Sequence, residues 1–381
     1  MKGDPRGITI SGEINKASAQ DGRRTALLIS YPFQQAITEA ISLAQAAGYS
    51  VVKVITQKEI NKAKYGIGKG KAEEVKRLID ETHPEVIILD EVLKPRQVYS
   101  LASLCRVEII DREKLILEIF ERRASTSESR IQTKLAQLRY ELARARDKVR
   151  LARAGEQPGF FGLGKYEADI YYLDIRRRAT ALKKKLEREV TRRSLYREQR
   201  SRARLKSVSL AGYTSAGKTT LFNSLTGESK ATGMGLFTTL STFTRAIELD
   251  GEKVLVHDTV GFVSKLPAYM IDAFKSTLDE LKYADIVVLV LDVSEPADEI
   301  KRKFASSLDV INEFEVPDSK IIYVLNKLDL VSKDEAVEKA RLVGSLDESR
   351  VISLSALNGQ NTLELRKVLA ELLLPERRQP A

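Results

Sequence analysis

Eight consecutive residues, G-Y-T-S-A-G-K-T starting at Gly212, have the composition and spacing of a phosphate-binding loop. They match G-x-x-x-x-G-K-[ST] between an apolar strand-like run and a helix-like run, and the glycines let backbone amides turn towards phosphate oxygens. We expect Lys218 to bridge the β- and γ-phosphates and the Thr219 hydroxyl to bind Mg²⁺. The nucleotide-binding residues predicted here are Gly212, Tyr213, Thr214, Ser215, Ala216, Gly217, Lys218, Thr219 and Thr220.

A second short motif, Asp258-Thr-Val-Gly261, follows the strand-like run V-L-V-H. An aspartate at the end of such a strand can hold Mg²⁺ through water, and the Gly261 amide can reach the γ-phosphate. D-x-x-G also occurs as an ordinary strand-to-turn sequence. Its position after the phosphate loop favours the functional interpretation.

The choice of base is predicted from Asn326-Lys-Leu-Asp329, which ends the strand-like run I-I-Y-V-L. A carboxylate at Asp329 can accept hydrogen bonds from N1–H and the exocyclic amine of guanine, and adenine cannot make that pair of contacts. Ser355-Ala-Leu357 follows the next strand-like run and can offer a backbone amide to the guanine carbonyl. The nucleotide-binding residues predicted from these two motifs are Asn326, Lys327, Asp329, Ser355, Ala356 and Leu357.

The four motifs in this order resemble the translation-factor-like class of small GTPases. The resemblance implies a GTP/GDP ligand and a mobile segment whose threonine closes on Mg²⁺ in the GTP state. Within 235–240, G-L-F-T-T-L, the matching position is Thr239, although it could also be one hydroxyl in a threonine-rich turn. The implied catalytic residues are Lys218, Thr239 and Gly261. The implied Mg²⁺ ligands are Thr219, Thr239 and Asp258.

Phe262 follows Gly261 at the position where Ras-like GTPases carry a glutamine that orients the attacking water. Phenylalanine can neither donate nor accept a hydrogen bond through its side chain. Either Phe262 packs in a turn and another group orders the water, or basal hydrolysis is slow and a partner surface reorganises the site. We favour the second hypothesis.

The elements that must position these residues form three segments, and the predicted fold class is α/β. Strand-like and helix-like runs alternate over residues 1–112, which predicts a small parallel-sheet α/β domain. Residues 113–204 predict a long antiparallel helical hairpin with a glycine-rich loop at 155–165. Residues 205–375 alternate again, as a P-loop GTPase domain requires. The tail at 376–381 is expected to be frayed.

The hairpin is predicted from two stripes of apolar residues at coiled-coil-like spacing. Their narrow seam leaves Arg, Lys and Gln facing outward. Residues 121–204 carry 24 Lys/Arg against 11 Asp/Glu, while the whole chain has a formal charge of +10. Such a concentration of positive charge favours a polyanionic partner, most often nucleic acid. The alternatives are a solvated basic surface or a hairpin that serves only as a spacer. The two stripes are Ile131, Leu135, Leu138, Leu142, Ala145 and Val149, and Ile175, Ala179, Leu182, Leu186 and Val190.

Composition excludes several classes of protein. The single cysteine, Cys105, and two histidines leave no intramolecular disulfide, no all-cysteine metal site and no histidine-rich zinc centre. The N-terminal residues lack the apolar run of a secretory signal. The longest strongly apolar stretch, 286–291, is too short to span a bilayer. These features predict a cytoplasmic protein without a membrane span, and we expect a monomer.

Further stretches resemble the HflX family of ribosome-associated GTPases, and together the resemblance covers about residues 25–375. That family implies docking on the large ribosomal subunit and, in many members, splitting or rescue of stalled ribosomes, often under stress. It also implies that residues 1–204 contact ribosomal RNA, in keeping with the charge of the hairpin. The matching stretches are Tyr65–Val75, Asp111–Phe120, Lys134–Leu142, Asp258–Pro267 and Ala273–Glu280.

Several features depart from the family pattern. Related GTPases carry asparagine at the position of Ser215, so potassium-stimulated hydrolysis is in doubt. The hairpin loop keeps its glycines but has Phe160 and Phe161, which could stack on RNA bases or pack against a neighbouring domain. The chain ends after the last helix of the GTPase domain, which predicts that the C-terminal domain of some members is absent.

The loop Gly66–Lys71, G-I-G-K-G-K, suggests a possible second nucleotide site, because the family has been linked to ATP use through this region. It is not a full phosphate loop, since the spacing and the Ser/Thr after lysine are missing. Phosphate contact with RNA and a simple tight turn are the alternatives.

The leading hypothesis is therefore a GTPase that binds the large ribosomal subunit and is stimulated by the ribosome, in splitting, rescue or a stress response. The alternatives are a GTP-gated RNA-binding module with slow hydrolysis and a ribosome-assembly factor. A GTPase acting at membranes or on metal transport is a further possibility, which no anchor segment supports.

Overall fold

The computed structural model describes residues 22–153, 165–228, 237, 240, 242–263, 267–343 and 350–374. The chain divides into two compact units. The first comprises the described residues up to 122 together with 133–184, and the second comprises 123–132 together with the described residues from 185 onward. No helix in these ranges is both long and apolar enough to cross a membrane.

The first unit contains a four-stranded sheet in the order β2-β1-β3-β4, and every strand pair is parallel. All four residues of β3, V-I-I-L, are buried, as expected for a parallel sheet covered on both faces. The strands are β1 (Arg24–Ser30), β2 (Tyr49–Thr56), β3 (Val86–Leu89) and β4 (Glu108–Asp111). The helices are α1 (Gln34–Ala46), α2 (Lys69–Thr82), α3 (Pro95–Cys105) and α4 (Arg112–Arg123).

Two long helices follow, α5 (Ser127–Arg153) and α6 (Lys165–Arg202), and they form the predicted antiparallel hairpin. Leu138, Ala145 and Ile175 are its buried seam within the first unit. At 1.5 Å per residue the helices are roughly 40 and 57 Å long. The loop that carries Phe160 and Phe161 lies outside the described residues.

The expectation that glutamine faces outward from the hairpin is wrong for the first turns of α5. Ser129, Gln132 and Thr133 are all buried there, at 1%, 0% and 3% exposure. Ser129 and Thr126 exchange hydrogen bonds around the start of the helix, including Ser129 N to Thr126 Oγ1 at 3.1 Å. Ser129 is tolerated in the interior because its hydroxyl accepts from the Thr126 backbone amide and donates to the Thr126 carbonyl at the helix start.

The second unit is built on a six-stranded sheet in the order β10-β9-β8-β5-β7-β6, in which only β6 and β7 are antiparallel. β5 has β8 on one side and β7 on the other, so the strand order reverses there and leaves a crevice beyond its carboxyl end. The strands are β5 (Lys206–Gly212), β6 (Phe243–Leu249), β7 (Glu252–Asp258), β8 (Ile286–Asp292), β9 (Ile321–Asn326) and β10 (Val351–Ser353). The helices are α7 (Lys218–Thr226), α8 (Ala268–Tyr283), α9 (Ala297–Glu313), α10 (Lys333–Val343) and α11 (Thr362–Leu373).

The predicted α/β fold class, with its helical hairpin and P-loop domain, is confirmed. The predicted boundaries at 112 and 204 stay predictions, and the tail at 376–381 lies outside the described residues. Helix α4 continues the first unit beyond residue 112, where Leu115, Ile116, Ile119 and Phe120 are each at most 1% exposed.

Candidate nucleotide-binding site

The phosphate loop leaves β5 at Gly212 and enters α7 at Lys218, in the crevice at the reversal of strand order. Both ends of the loop need glycine. Gly212 has φ +134°, and a Cβ there would lie 2.3 Å from the Val290 carbonyl oxygen. Gly217 has φ +93°, and a Cβ there would lie 2.1 Å from the Asn326 amide nitrogen. The loop can therefore run directly against β8 and the base motif only without these side chains.

The side chain of Lys218 turns back into the loop, and its ammonium donates hydrogen bonds to the carbonyl oxygens of Gly212 at 2.9 Å and Tyr213 at 2.7 Å. Burial lowers the pKa of Lys218 to about 8, and the Asp258 carboxylate opposes that shift. A polyphosphate beside the ammonium would favour its charged form, because an opposite charge offsets the cost of burial.

Thr219 and Asp258 meet behind the loop, where the threonine hydroxyl donates to Asp258 Oδ2 at 3.1 Å. Both are buried, at 7% and 0% exposure. A hydroxyl and a carboxylate are the hard oxygen donors that Mg²⁺ prefers. This pair therefore fits the predicted metal. The third predicted ligand, Thr239, lies outside the described residues.

The segment after β7 returns alongside the phosphate loop. Phe262 N donates to Gly212 O at 3.0 Å, and Thr214 N donates to Phe262 O at 2.7 Å. A Cβ at Gly261 would lie 3.0 Å from Lys218 Nζ and 2.8 Å from Thr214 Cγ2, so glycine is needed for this close approach. The Phe262 residue is only 5% exposed. Its side chain therefore packs in the turn, where a phenyl ring offers no hydrogen bond to a water.

Asn326 connects the base motif to the phosphate loop. Its Nδ2 donates to Ala216 O at 2.8 Å, and its Oδ1 accepts from Ala356 N at 2.9 Å. One amide side chain thus holds three motifs in register, although they are distant in the sequence. Asp329 is exposed at the rim of the site, and its Oδ1 accepts from the Ser355 hydroxyl at 2.5 Å.

The remaining predicted residues lie around this centre. Ser215 and Leu357 are exposed, Thr220 is in the first turn of α7, and Ser215 has a left-handed backbone with φ +64°. Lys327 is also left-handed at φ +68°, and its ammonium is 2.5 Å from Asp292 Oδ2. Sequence reasoning missed Asp292. It could have been found, because it ends β8 on the same sheet edge as the phosphate loop.

The glycine–lysine loop of the first unit folds as a tight turn. Gly66 has φ +75°, and its carbonyl accepts from Asn61 N at 2.7 Å. Gln97 from α3 donates to the carbonyls of Asn61 and Ala63, at 3.0 and 2.8 Å. The positive φ explains why glycine stands at position 66. A second nucleotide there stays a prediction.

Known families match the three segments of the chain. The family model described as "GTP-binding GTPase N-terminal" matches residues 34–121, and "GTP-binding GTPase Middle Region" matches 123–200. The model "50S ribosome-binding GTPase" matches 207–327. GTPase HflX of Thermococcus kodakarensis is 43% identical over 312 residues, which cover 82% of this chain and 71% of that protein. The chain belongs to the HflX GTPase family.

Other HflX relatives are similar over comparable lengths. GTPase HflX of Methanocaldococcus jannaschii is 41% identical over 342 residues, or 89% of this chain and 83% of the relative. The crystal structure of SsGBP with GDP is 29% identical and superposes over 93% of this chain and 99% of its own, with a TM-score of 0.56. A GTP-binding protein from Sulfolobus solfataricus in complex with GDP gives 29% and a TM-score of 0.52, over 92% of this chain and 99% of its own.

This HflX chain is a GTPase, as the sequence motifs predicted. The predictions of family, fold class and GTP hydrolysis are confirmed, and GDP-bound relatives support GTP/GDP as the ligand. The individual nucleotide and metal contacts stay predictions.

Proposed function

We propose that this HflX GTPase binds the large ribosomal subunit in its GTP state, is stimulated to hydrolyse GTP there, and is released afterwards. The match of residues 207–327 to the family model "50S ribosome-binding GTPase" carries the proposal. Splitting or rescue of ribosomes, often under stress, is the role that this binding serves. The cytoplasmic ribosome triggers hydrolysis, because the buried side chain of Phe262 cannot itself order the attacking water.

A basic stretch of α6, whose cations point to several sides of the helix, supports ribosomal RNA as the contact. Between residues 176 and 185 the helix exposes six cations, and the one carboxylate just before them, Asp174, pairs with Arg178. Cations in such a row neutralise phosphates and release counterions, which makes binding strong at low salt. The six side chains are Arg176, Arg177, Arg178, Lys183, Lys184 and Lys185.

Within the GTPase domain, Lys218 binds the β- and γ-phosphates and the Gly261 amide faces the γ-phosphate. Thr219 and Asp258 would hold Mg²⁺, with the predicted ligand Thr239 joining them in the GTP state. The bound metal would supply positive charge against the negative charge that develops on the phosphates. Lys218 is already held by the Gly212 and Tyr213 carbonyls, so its position requires little reorganisation.

Ribosome binding predicts that purified large subunits raise GTP turnover and that rising salt weakens co-sedimentation steeply. The triple variant Lys183→Gln, Lys184→Gln, Lys185→Gln is expected to lower the slope of log affinity against log salt by about 2 to 3. Turnover and sedimentation are measured side by side at several salt concentrations.

A triple variant on the GTPase domain, Lys253→Gln, Lys301→Gln, Lys367→Gln, removes the same charge from exposed positions and is the matched control. Binding without any stimulation would contradict the proposed activation and favour the GTP-gated RNA-binding module. Binding only to immature subunits would favour the assembly factor. If both triple variants have the same slope of log affinity against log salt, the basic stretch of α6 is excluded as the contact with ribosomal RNA.

A further inference from the structure

An arginine near the end of the hairpin connects helix α6 to the interior of the GTPase domain. Arg200 Nη2 donates to Glu280 Oε2 at 3.2 Å, and Arg200 Nη1 lies 3.2 Å from His257 Nε2. The side chains of His257 and Glu280 are 1% and 7% exposed. Arg197, one turn earlier, lies 3.8 Å from Glu280 Oε1 and covers the Tyr283 ring at 4.2 Å.

The contact with Arg200 fixes the tautomer of His257. A guanidinium only donates hydrogen bonds, so His257 Nε2 must be the acceptor and the imidazole proton must lie on Nδ1. His257 Nδ1 is 2.7 Å from Thr244 Oγ1, so it donates to that hydroxyl. Burial lowers the pKa of His257 to about 4, consistent with a neutral ring.

This chain of contacts ends next to the predicted metal ligands. His257 immediately precedes Asp258 on β7, and the register of β6 and β7 places Thr244 opposite His257 and Phe243 opposite Asp258. β6 is also the strand that follows the segment containing Thr239. Successive strand residues point to opposite faces, so a rotation of the His257 ring would act on Asp258 through the backbone at the end of β7, where Asp258 meets Thr219.

We propose that Arg200 is a positioning residue for GTP hydrolysis, which holds His257 in the Nδ1–H form and so keeps the Asp258 carboxylate beside Thr219. The end of the hairpin helix and the metal-binding carboxylate are thereby connected through the buried His257 side chain and the backbone of β7. The proposal rests on the GTPase activity and the Mg²⁺ site, and it does not require the ribosome. The competing explanation is that Arg200 only neutralises buried Glu280 and contributes to stability.

Arg200→Gln is expected to lower basal kcat about tenfold, because small displacements of catalytic groups are costly. It should also raise the Mg²⁺ concentration that gives half-maximal turnover, while GDP affinity without Mg²⁺ is unchanged. Arg202→Gln is the matched control. It removes the same charge two residues further along the helix, and the Arg202 side chain is 83% exposed. Arg200→Lys should restore part of kcat, as it retains one donor.

The tautomer can be observed directly, because the chain contains only two histidines, His257 and the exposed His83. In ¹⁵N-histidine-labelled protein, with His83→Gln for assignment, His257 should be Nδ1–H in the wild type and in Arg202→Gln. In Arg200→Gln it should change to Nε2–H or a mixture.

Thr244→Val removes the acceptor of the Nδ1 proton without leaving a buried charge, and it tests the same proposal if Arg200→Gln fails to fold. It should reproduce the loss of kcat and the change in Mg²⁺ dependence. If Arg200→Gln keeps the wild-type tautomer, or if either variant lowers only the melting temperature and keeps the wild-type kcat and Mg²⁺ dependence, the positioning role is wrong.

Discussion

Lys218→Ala is expected to reduce single-turnover GTP hydrolysis by about 10³-fold. The ammonium is buried in the loop and held by two carbonyl oxygens, so it needs no reorganisation when charge develops on the γ-phosphate. Alanine removes that charge and its hydrogen bonds to the Gly212 and Tyr213 carbonyls, which keep their backbone donors Phe262 N and Ala216 N. GTP affinity should fall as well, so the single-turnover rate is measured with saturating enzyme and the affinity is measured separately.

Lys339→Ala is a matched control for this effect, since Lys339 is also a buried lysine of the same domain. Its ammonium donates to Val293 O at 3.0 Å and pairs with Glu335 at 2.5 Å, away from the phosphate loop. This variant should lose stability and keep its turnover per folded molecule. Equal losses of turnover in the two variants would mean that general destabilisation, not phosphate contact, explains the result for Lys218.

Asp329→Asn is expected to weaken GTP binding by about 10³-fold and to shift the preference towards XTP. The carboxylate can accept from both N1–H and the amine of guanine. Asparagine keeps an acceptor for N1–H but presents an amide that repels that amine and donates to the xanthine O2 instead. Ser355 donates to Asp329 Oδ1 at 2.5 Å, so the amide oxygen should take this position and the nitrogen should face the base.

Competition of GDP and XDP for the purified variant measures this change in specificity. Asp334→Asn, an exposed aspartate at the start of α10, makes the same chemical change outside the site and should leave the preference for GDP intact. An Asp329→Asn protein that still prefers GDP over XDP would exclude Asp329 as the residue that selects guanine.

The sequence predicted the strands and helices of both sheets closely where their patterns were strong. The strongly apolar stretch 286–291 is found in β8 (Ile286–Asp292), and the helix-like run after the phosphate loop begins at Lys218. An unbroken apolar run and a phosphate-loop motif are local signals that the rest of the chain does not change. The strand-like run I-I-Y-V-L before Asn326 is found in β9 (Ile321–Asn326).

Burial of polar groups was the property least accessible from the sequence. The apolar stripes predicted the hairpin seam, with Leu138 and Ile175 buried as expected. They did not predict that Gln132 would be completely buried, since periodicity assigns polar residues to the outer face.

The sequence by itself determined the chemistry of the nucleotide site. Its four motifs each end a strand or follow one, and parallel strands bring their carboxyl ends to a common edge, so their order was sufficient to predict a guanine nucleotide and its phosphates. The tertiary structure alone decided how these motifs are held together. Asn326 bonds Ala216 across 110 residues, and Arg200 reaches Glu280 across 80. Such contacts depend on where distant backbone segments meet, and that is fixed by packing of the whole domain.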